Sequence, residues 1–258
     1  MPDNPAREEA DEKGRMSFWE HLDELRGRLI KSILIVCAGF LIAYLFVGRI
    51  QDFLIASFFT ESKLPLAFLN PTEGFIVSLK LSLAVGILIA APGVFYQFWR
   101  FVAPGLYPRE RKFILPVVIT STVSFLVGVA FCFYILPYAT QFFLSFGGGK
   151  IQNLWSFGSY VDFMVRLMIA FGAVFELPLV IYFLVRLGIV TPQFLRKQRR
   201  YAIIINLIIA AVITPPDIFT MMVLSIPLLA LYEISILVGD VVHRKRLRSE
   251  ASEGVLSD

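Results

Sequence analysis

Phe163 to Val185 reads FMVRLMIAFGAVFELPLVIYFLV. Its length suits a membrane crossing, because a helix that spans hydrocarbon needs ~20 predominantly apolar residues. Near its middle stands Glu176, followed by Pro178. At a rise of ~1.5 Å per residue, Glu176 lies roughly 14 Å from the Val185 end. A charge at that depth costs on the order of 2.5 kcal/mol or more, so the carboxyl faces protein or a watery cavity, or is protonated. Gly172 and Ala173, one turn earlier, let another helix come close. Arg166 stands roughly 15 Å away along the axis and cannot neutralise Glu176 within the helix. Two readings stand: Glu176 bonds a polar residue on a neighbouring span and fixes packing, or it meets a polar group of another chain or a moving substrate.

The rest of the chain is built in the same way. Of 258 residues, 57% are hydrophobic and 17% charged, against ~25% charged in a soluble domain. The chain therefore reads as an all-α membrane protein with several spans. Six apolar runs carry the spans: Leu29 to Val47, Phe75 to Trp99, Phe113 to Tyr138, Phe163 to Val185, Tyr201 to Ile213 and Ile218 to Val238. The first thirty residues are charge-rich and lack the apolar core of a cleavable leader.

Lys and Arg set the orientation. They crowd the N-terminal segment, the loop holding Arg100, Arg109, Arg111 and Lys112, the loop from Arg186 to Arg200, and the tail after Val238. The opposite side holds Arg49, Lys63 and Lys150. Both termini are thus expected in the cytoplasm. The organisation expected is a mobile cytoplasmic tail over 1–16, a membrane domain over 17–239 and a basic cytoplasmic tail over 240–258.

Along the chain, Ser17-Phe18-Trp19-Glu20 has the form of a capping box and starts an amphipathic helix. Phe18, Leu22, Leu25 and Leu29 form its apolar face, while Glu20, Glu24 and Arg28 recur every four residues on another. The first external loop carries Phe53, Leu54, Ile55, Phe58 and Phe59, which predict a short helix at the outer surface. Asn70-Pro71-Thr72 predicts a turn, and Lys80 is expected to snorkel outward. Trp99, Phe101 and Tyr107 suit the interfacial aromatic belt. Glu110 sits among Arg109, Arg111 and Lys112; it is either neutralised there or free to accept a guanidinium bidentately. Thr120, Ser121, Thr122 and Ser124 can bond back along their helix or across to another. Pro92 and Pro227 predict kinks. The short runs Tyr201 to Ile213 and Ile218 to Val238, joined by Thr214-Pro215-Pro216-Asp217, make a short final hairpin. Asn206 is the internal partner expected for Glu176, on depth alone.

The residues exclude several chemistries. His21 and His243 lie outside the apolar runs, and there is no HExxH, no Cys/His cluster, no nucleophile elbow and no phosphate-binding loop. No catalytic residue, metal ligand, cofactor or nucleic-acid site is expected. Cys37 and Cys132 read as small apolar residues.

Four stretches resemble the TatC family, the multi-span subunit of the twin-arginine protein translocase: HLDELR at 21–26, YQFWRFVAPGLYPRER at 96–111, FELP at 175–178 and TPPD at 214–217. The resemblance runs from about Ser17 to Gly239, and Ala56-Ser57-Phe58-Phe59 stands where many members have a proline. It implies a receptor in the bacterial cytoplasmic (inner) membrane for folded cargo whose signal peptides carry paired arginines. By position, Glu24 and Glu110 would accept the arginines and Arg26 and Phe101 would shape that site. Glu176 would meet a polar residue of a single-span TatA/TatB-type subunit, and Pro215, Pro216 and Asp217 would hold the outer hairpin. The resemblance further implies homo-oligomers within a larger complex and transport driven by the proton-motive force. The alternative is a proton-coupled small-solute secondary transporter with Glu176 as proton carrier, which calls for inverted repeats; spans one to three show no convincing match to spans four to six.

Overall fold

The computed structural model describes residues 18–58, 66–102, 114–145, 155–213 and 218–255. They form nine helices: α1 (Phe18–Leu45), α2 (Val47–Phe58), α3 (Glu73–Val102), α4 (Ile114–Ser145), α5 (Phe157–Phe175), α6 (Leu177–Arg186), α7 (Pro192–Lys197), α8 (Arg199–Ile213) and α9 (Ile218–Val255). Two two-residue strands, β1 (Leu66–Ala67) and β2 (Trp155–Ser156), pair in parallel with Leu66 opposite Trp155 and Ala67 opposite Ser156. Helix dominates because a backbone in hydrocarbon must satisfy every N–H and C=O within its own segment.

By length and composition, five stretches can cross a membrane: Trp19–Leu45, Glu73–Val102, Ile114–Phe143, Phe157–Arg186 and Leu224–Lys245. The fifth run read from sequence is α8, whose 15 residues give ~22 Å of helix. The capping-box Ser17, Tyr107 and the 1–16 segment lie outside the described residues. The expected external helix is α2, whose Leu54 is buried in the core and whose Gln51 donates to the Ser78 hydroxyl at 3.0 Å. The Asn70 turn is present, closed by Glu73 N–H to the Asn70 carbonyl at 3.1 Å.

Prolines act unequally. α3 and α9 continue as helix through Pro92 and Pro227, and α4 through Pro137. At Pro178 the fourth run divides instead, with Glu176 as the joint between α5 and α6. Proline lacks the N–H that would serve the carbonyl four residues back and crowds it sterically. The Glu176 N–H turns back to the Ala173 carbonyl at 3.2 Å, and α6 restarts with Leu179 and Val180 donating to the Glu176 carbonyl at 3.0 and 2.9 Å.

Helices meet where side chains vanish. α1 crosses α3 at Gly39 and Gly86; a Cβ on Gly86 would lie 2.6 Å from the Phe40 nitrogen. α4 crosses α5 at Gly128 and Gly172; a Cβ on Gly128 would lie 2.6 Å from the Phe171 carbonyl oxygen, and the Phe125 ring fills the space over Gly172. Removing side chains lets backbones approach and gain dispersion contacts, the main attraction available when the surrounding solvent is itself oily. The main core lies between α3, α4 and α5, with Leu81, Cys132, Leu136, Tyr160, Val161 and Leu167 fully enclosed. A smaller cluster of Trp99, Val118 and Phe183 lies nearer the opposite ends of those helices. Cys132 is buried as expected, whereas Cys37 is exposed on α1.

Gly86→Val forces backbone against backbone and is expected to lower stability by about 1–3 kcal/mol, read as thermal unfolding of the detergent-solubilised chain. Gly27→Ala, where an added Cβ meets nothing within 4 Å, is expected to leave stability unchanged or raised by up to ~1 kcal/mol.

Candidate functional site

At one end of the bundle the start of α1 lies against the end of α3. His21, Glu24 and Arg28 follow one another at helical spacing on α1. Gln97 and Phe101 do the same on α3. The His21 ring stacks on Phe101, with centroids 4.4 Å apart and planes 15° from parallel. Arg28 donates to Glu24 Oε1 through Nε at 3.0 Å and also through Nη2. Its Nη1 reaches towards Gln97 Oε1 at 3.5 Å, a contact at the outer limit of a hydrogen bond. The Glu24 and Arg28 side chains are only 19% and 15% exposed. Glu24 Oε2 is buried and has no partner. An anion with one oxygen paired and the other empty is a high-stakes arrangement, since an unpartnered charged acceptor keeps its desolvation cost.

The structure brings Glu24 and Phe101 to the same face, as expected. Arg26 is exposed and lies ~200° round the helix from Glu24, so it is not gathered into that cluster. Glu110, Pro215, Pro216 and Asp217 lie outside the described residues. Sequence reasoning missed His21 and Gln97. The four-residue spacing of Gln97 and Phe101, matched against His21, Glu24 and Arg28, was the available signal. Around the cluster, Leu22, Leu25 and Leu29 expose the apolar face read from the sequence.

Deeper in the bundle stands Glu176. The α4–α5 crossing sets its neighbour: Phe125 packs on Gly172, so one turn back along α4 and one turn on along α5 brings Ser121 to Glu176. The Ser121 hydroxyl is the polar neighbour of the Glu176 carboxyl. Ser121 is itself fully enclosed and accepts the Trp99 indole N–H at 2.7 Å. Trp99 in turn packs on Phe183 of α6, centroids 4.3 Å apart. Glu176 Oε1 remains buried without a partner.

Two expectations change here. Trp99 is not part of an interfacial belt: it is 5% exposed and spends its N–H inside the bundle. Asn206 is buried, but its Nδ2 has no acceptor, so it does not hydrogen-bond Glu176. Depth alone could not discriminate, because two residues at one level can face different neighbours. The hydroxyl run divides as expected: Thr120 and Thr122 donate back to the Pro116 and Val118 carbonyls at 2.9 and 2.8 Å, while Ser121 bonds across.

The other end is tied by acids the sequence reading did not single out. Glu73, the first residue of α3, accepts from the Leu69 and Asn70 N–H groups at 2.6 and 3.2 Å, from Gly158 N–H at 2.8 Å and from the Ser156 hydroxyl. It thereby joins the starts of α3 and α5. Lys80 does not simply snorkel: it pairs with Asp162 of α5. At the basic end, Arg196 and Arg199 pair with Asp240 and Glu233, and Tyr232 donates to the Leu195 carbonyl at 2.9 Å. Among the described residues no group of His, Cys, Asp and Glu could hold a metal ion.

Comparison with known proteins places these features in context. The family described as Sec-independent protein translocase protein (TatC) matches residues 20–227. A Sec-independent protein translocase protein TatC of Desulforapulum autotrophicum is 44% identical over 250 residues, covering 96% of this chain and 93% of that protein. The protein of the same description from Aquifex aeolicus is 40% identical over 235 residues, covering 90% of this chain and 98% of its own. A crystal structure of a twin-arginine translocase receptor, TatC, superposes with a TM-score of 0.79 at 40% identity, covering 86% of this chain and 99% of that one.

Ser121→Ala would leave the Trp99 N–H without an acceptor in a buried position. It is expected to cost about 1–3 kcal/mol in detergent unfolding, with a Trp99→Phe, Ser121→Ala pair costing less than the sum of the two single changes.

Proposed function

The chain belongs to the TatC family of Sec-independent protein translocase proteins, and from that premise we propose that the Glu24 cluster is where it receives the arginines of an export leader. The protein is a receptor subunit of the twin-arginine translocase, a transport protein and not an enzyme. The observation that carries the site is Glu24 itself: a mostly enclosed carboxylate with one oxygen lacking a donor. It sits beside the Phe101–His21 stack, next to exposed Leu22, Leu25 and Leu29. An oxygen seeking a donor beside an apolar strip suits a cationic leader followed by a hydrophobic stretch. Glu110 supplies the second acceptor, and Arg26 acts from the outer side of α1.

In this reading the chain crosses the bacterial inner membrane six times, α8 and α9 forming a short hairpin, with both ends in the cytoplasm. What supports this is the Lys and Arg distribution together with the fit to the TatC receptor structure. Single-span TatA/TatB-type subunits of the complex approach Glu176, whose unpartnered Oε1 supports a contact with a donor from another chain. Asp217 with Pro215 and Pro216 holds the outer hairpin, and cargo is moved folded, at the expense of the proton-motive force.

Membranes carrying Glu24→Gln together with Glu110→Gln are expected to lose about tenfold or more of their photo-crosslinking to a twin-arginine peptide, since a charge-assisted bond contributes ~1.5–3 kcal/mol and 1.4 kcal/mol is tenfold. Crosslinking at the unaltered level would falsify the assignment.

A further inference from the structure

The carboxylate proposed to capture arginine already holds one. Nε and Nη2 of Arg28 both rest on Glu24 Oε1, and Nη1 is directed to Gln97 Oε1 on the neighbouring helix. The guanidinium thus lies between the two helices, bound to Glu24 and turned towards Gln97 at 3.5 Å. Glu24 Oε2 stays buried and unpartnered. We infer that Arg28, positioned by Gln97, is a specificity-determining residue that makes Glu24 accept an incoming guanidinium in preference to an ammonium. This rests on the reading of Glu24 as a leader acceptor.

The reasoning is electrostatic and geometric. Glu24 and Arg28 together carry no net charge, so an incoming cation meets a neutral pair with one enclosed, unpaired oxygen and not a free anion. A Lys ammonium is a compact, strongly hydrated charge. Stripping its water in a mostly enclosed site needs a full opposing charge to offset it, and Arg28 has already engaged that charge. A guanidinium is planar and more weakly hydrated, and it can place a single N–H on Oε2 while its face lies against aromatic surface. The Phe101–His21 stack supplies such a surface in the same cluster. Discrimination by a built-in unfavourable element is a general route to specificity, and here that element is a resident cation. Without Arg28, Glu24 would be a bare, half-enclosed anion that attracts either cation through both oxygens.

The test uses the full chain purified in mild detergent, titrated with fluorescent leader peptides that carry Arg-Arg or Lys-Lys and are otherwise the same. Arg28→Gln is expected to tighten both peptides and to reduce the Arg-Arg over Lys-Lys preference by about threefold or more. Gln97→Leu, which keeps Arg28 but releases its second anchor, is expected to reduce the preference by about twofold. Either variant with an unchanged preference, or Arg28→Gln weakening the Arg-Arg peptide, overturns the inference. If Arg28→Gln does not elute as a folded species, Gln97→Leu decides alone. Glu24→Gln runs in parallel. Binding that it leaves untouched removes the underlying reading of the site, whereas binding lost in Glu24→Gln with preference intact in Arg28→Gln and Gln97→Leu removes only the role given to Arg28.

Discussion

Gly172 has no side chain, and the ring of Phe125 takes the space where one would be. Much of the interior follows from that contact and its neighbour, Gly128 against the Phe171 backbone. Two helices this close have a single register, because sliding either one would drive a side chain into a backbone. Register then decides which polar groups meet: Ser121 comes to Glu176, and the Trp99 indole to Ser121. In hydrocarbon no water corrects a mismatch, so a polar atom that misses its partner keeps its full desolvation cost. Steric fit between small residues and satisfaction of polar groups are here one constraint expressed twice.

The same logic operates differently at the two ends. Glu73 receives donors from the turn before α3, from β2 and from the start of α5, and every one of those bonds closes a polar group of this chain. At the opposite end Glu24 keeps an unpaired oxygen beside exposed leucines and a stacked ring pair. Glu176 likewise keeps one oxygen without a donor halfway along the bundle. The acid at one end is fully bonded within the chain, whereas Glu24 and Glu176 each keep one buried oxygen unpaired.

The break at Glu176 belongs to this division as well. A proline two residues after an acid divides α5 from α6, and α6 then packs along α9, where Ile181 and Val185 lie against Gly239. The joint therefore connects the α3–α4–α5 core to the final helix.

Composition and hydropathy alone were enough for a helical, many-span membrane protein, because bilayer thickness and the cost of bare backbone leave no other solution for such runs. Short motifs were enough for the family, and the structure brings Glu24 and Phe101, both singled out from those motifs, to one face of the bundle. Glu73, Gln97, the Lys80–Asp162 pair and the Trp99–Ser121–Glu176 chain were not. Each depends on which face of one helix turns towards which level of another, and helical periodicity says only which residues share a face. Asn206 and Trp99 show how that fails: Asn206 was paired with Glu176 on depth alone, and Trp99 was set in the interfacial belt although its N–H turns inward to Ser121. Pairing across helices was decided in the folded molecule by a few glycines, whose missing side chains set the distance and register that no local pattern encodes.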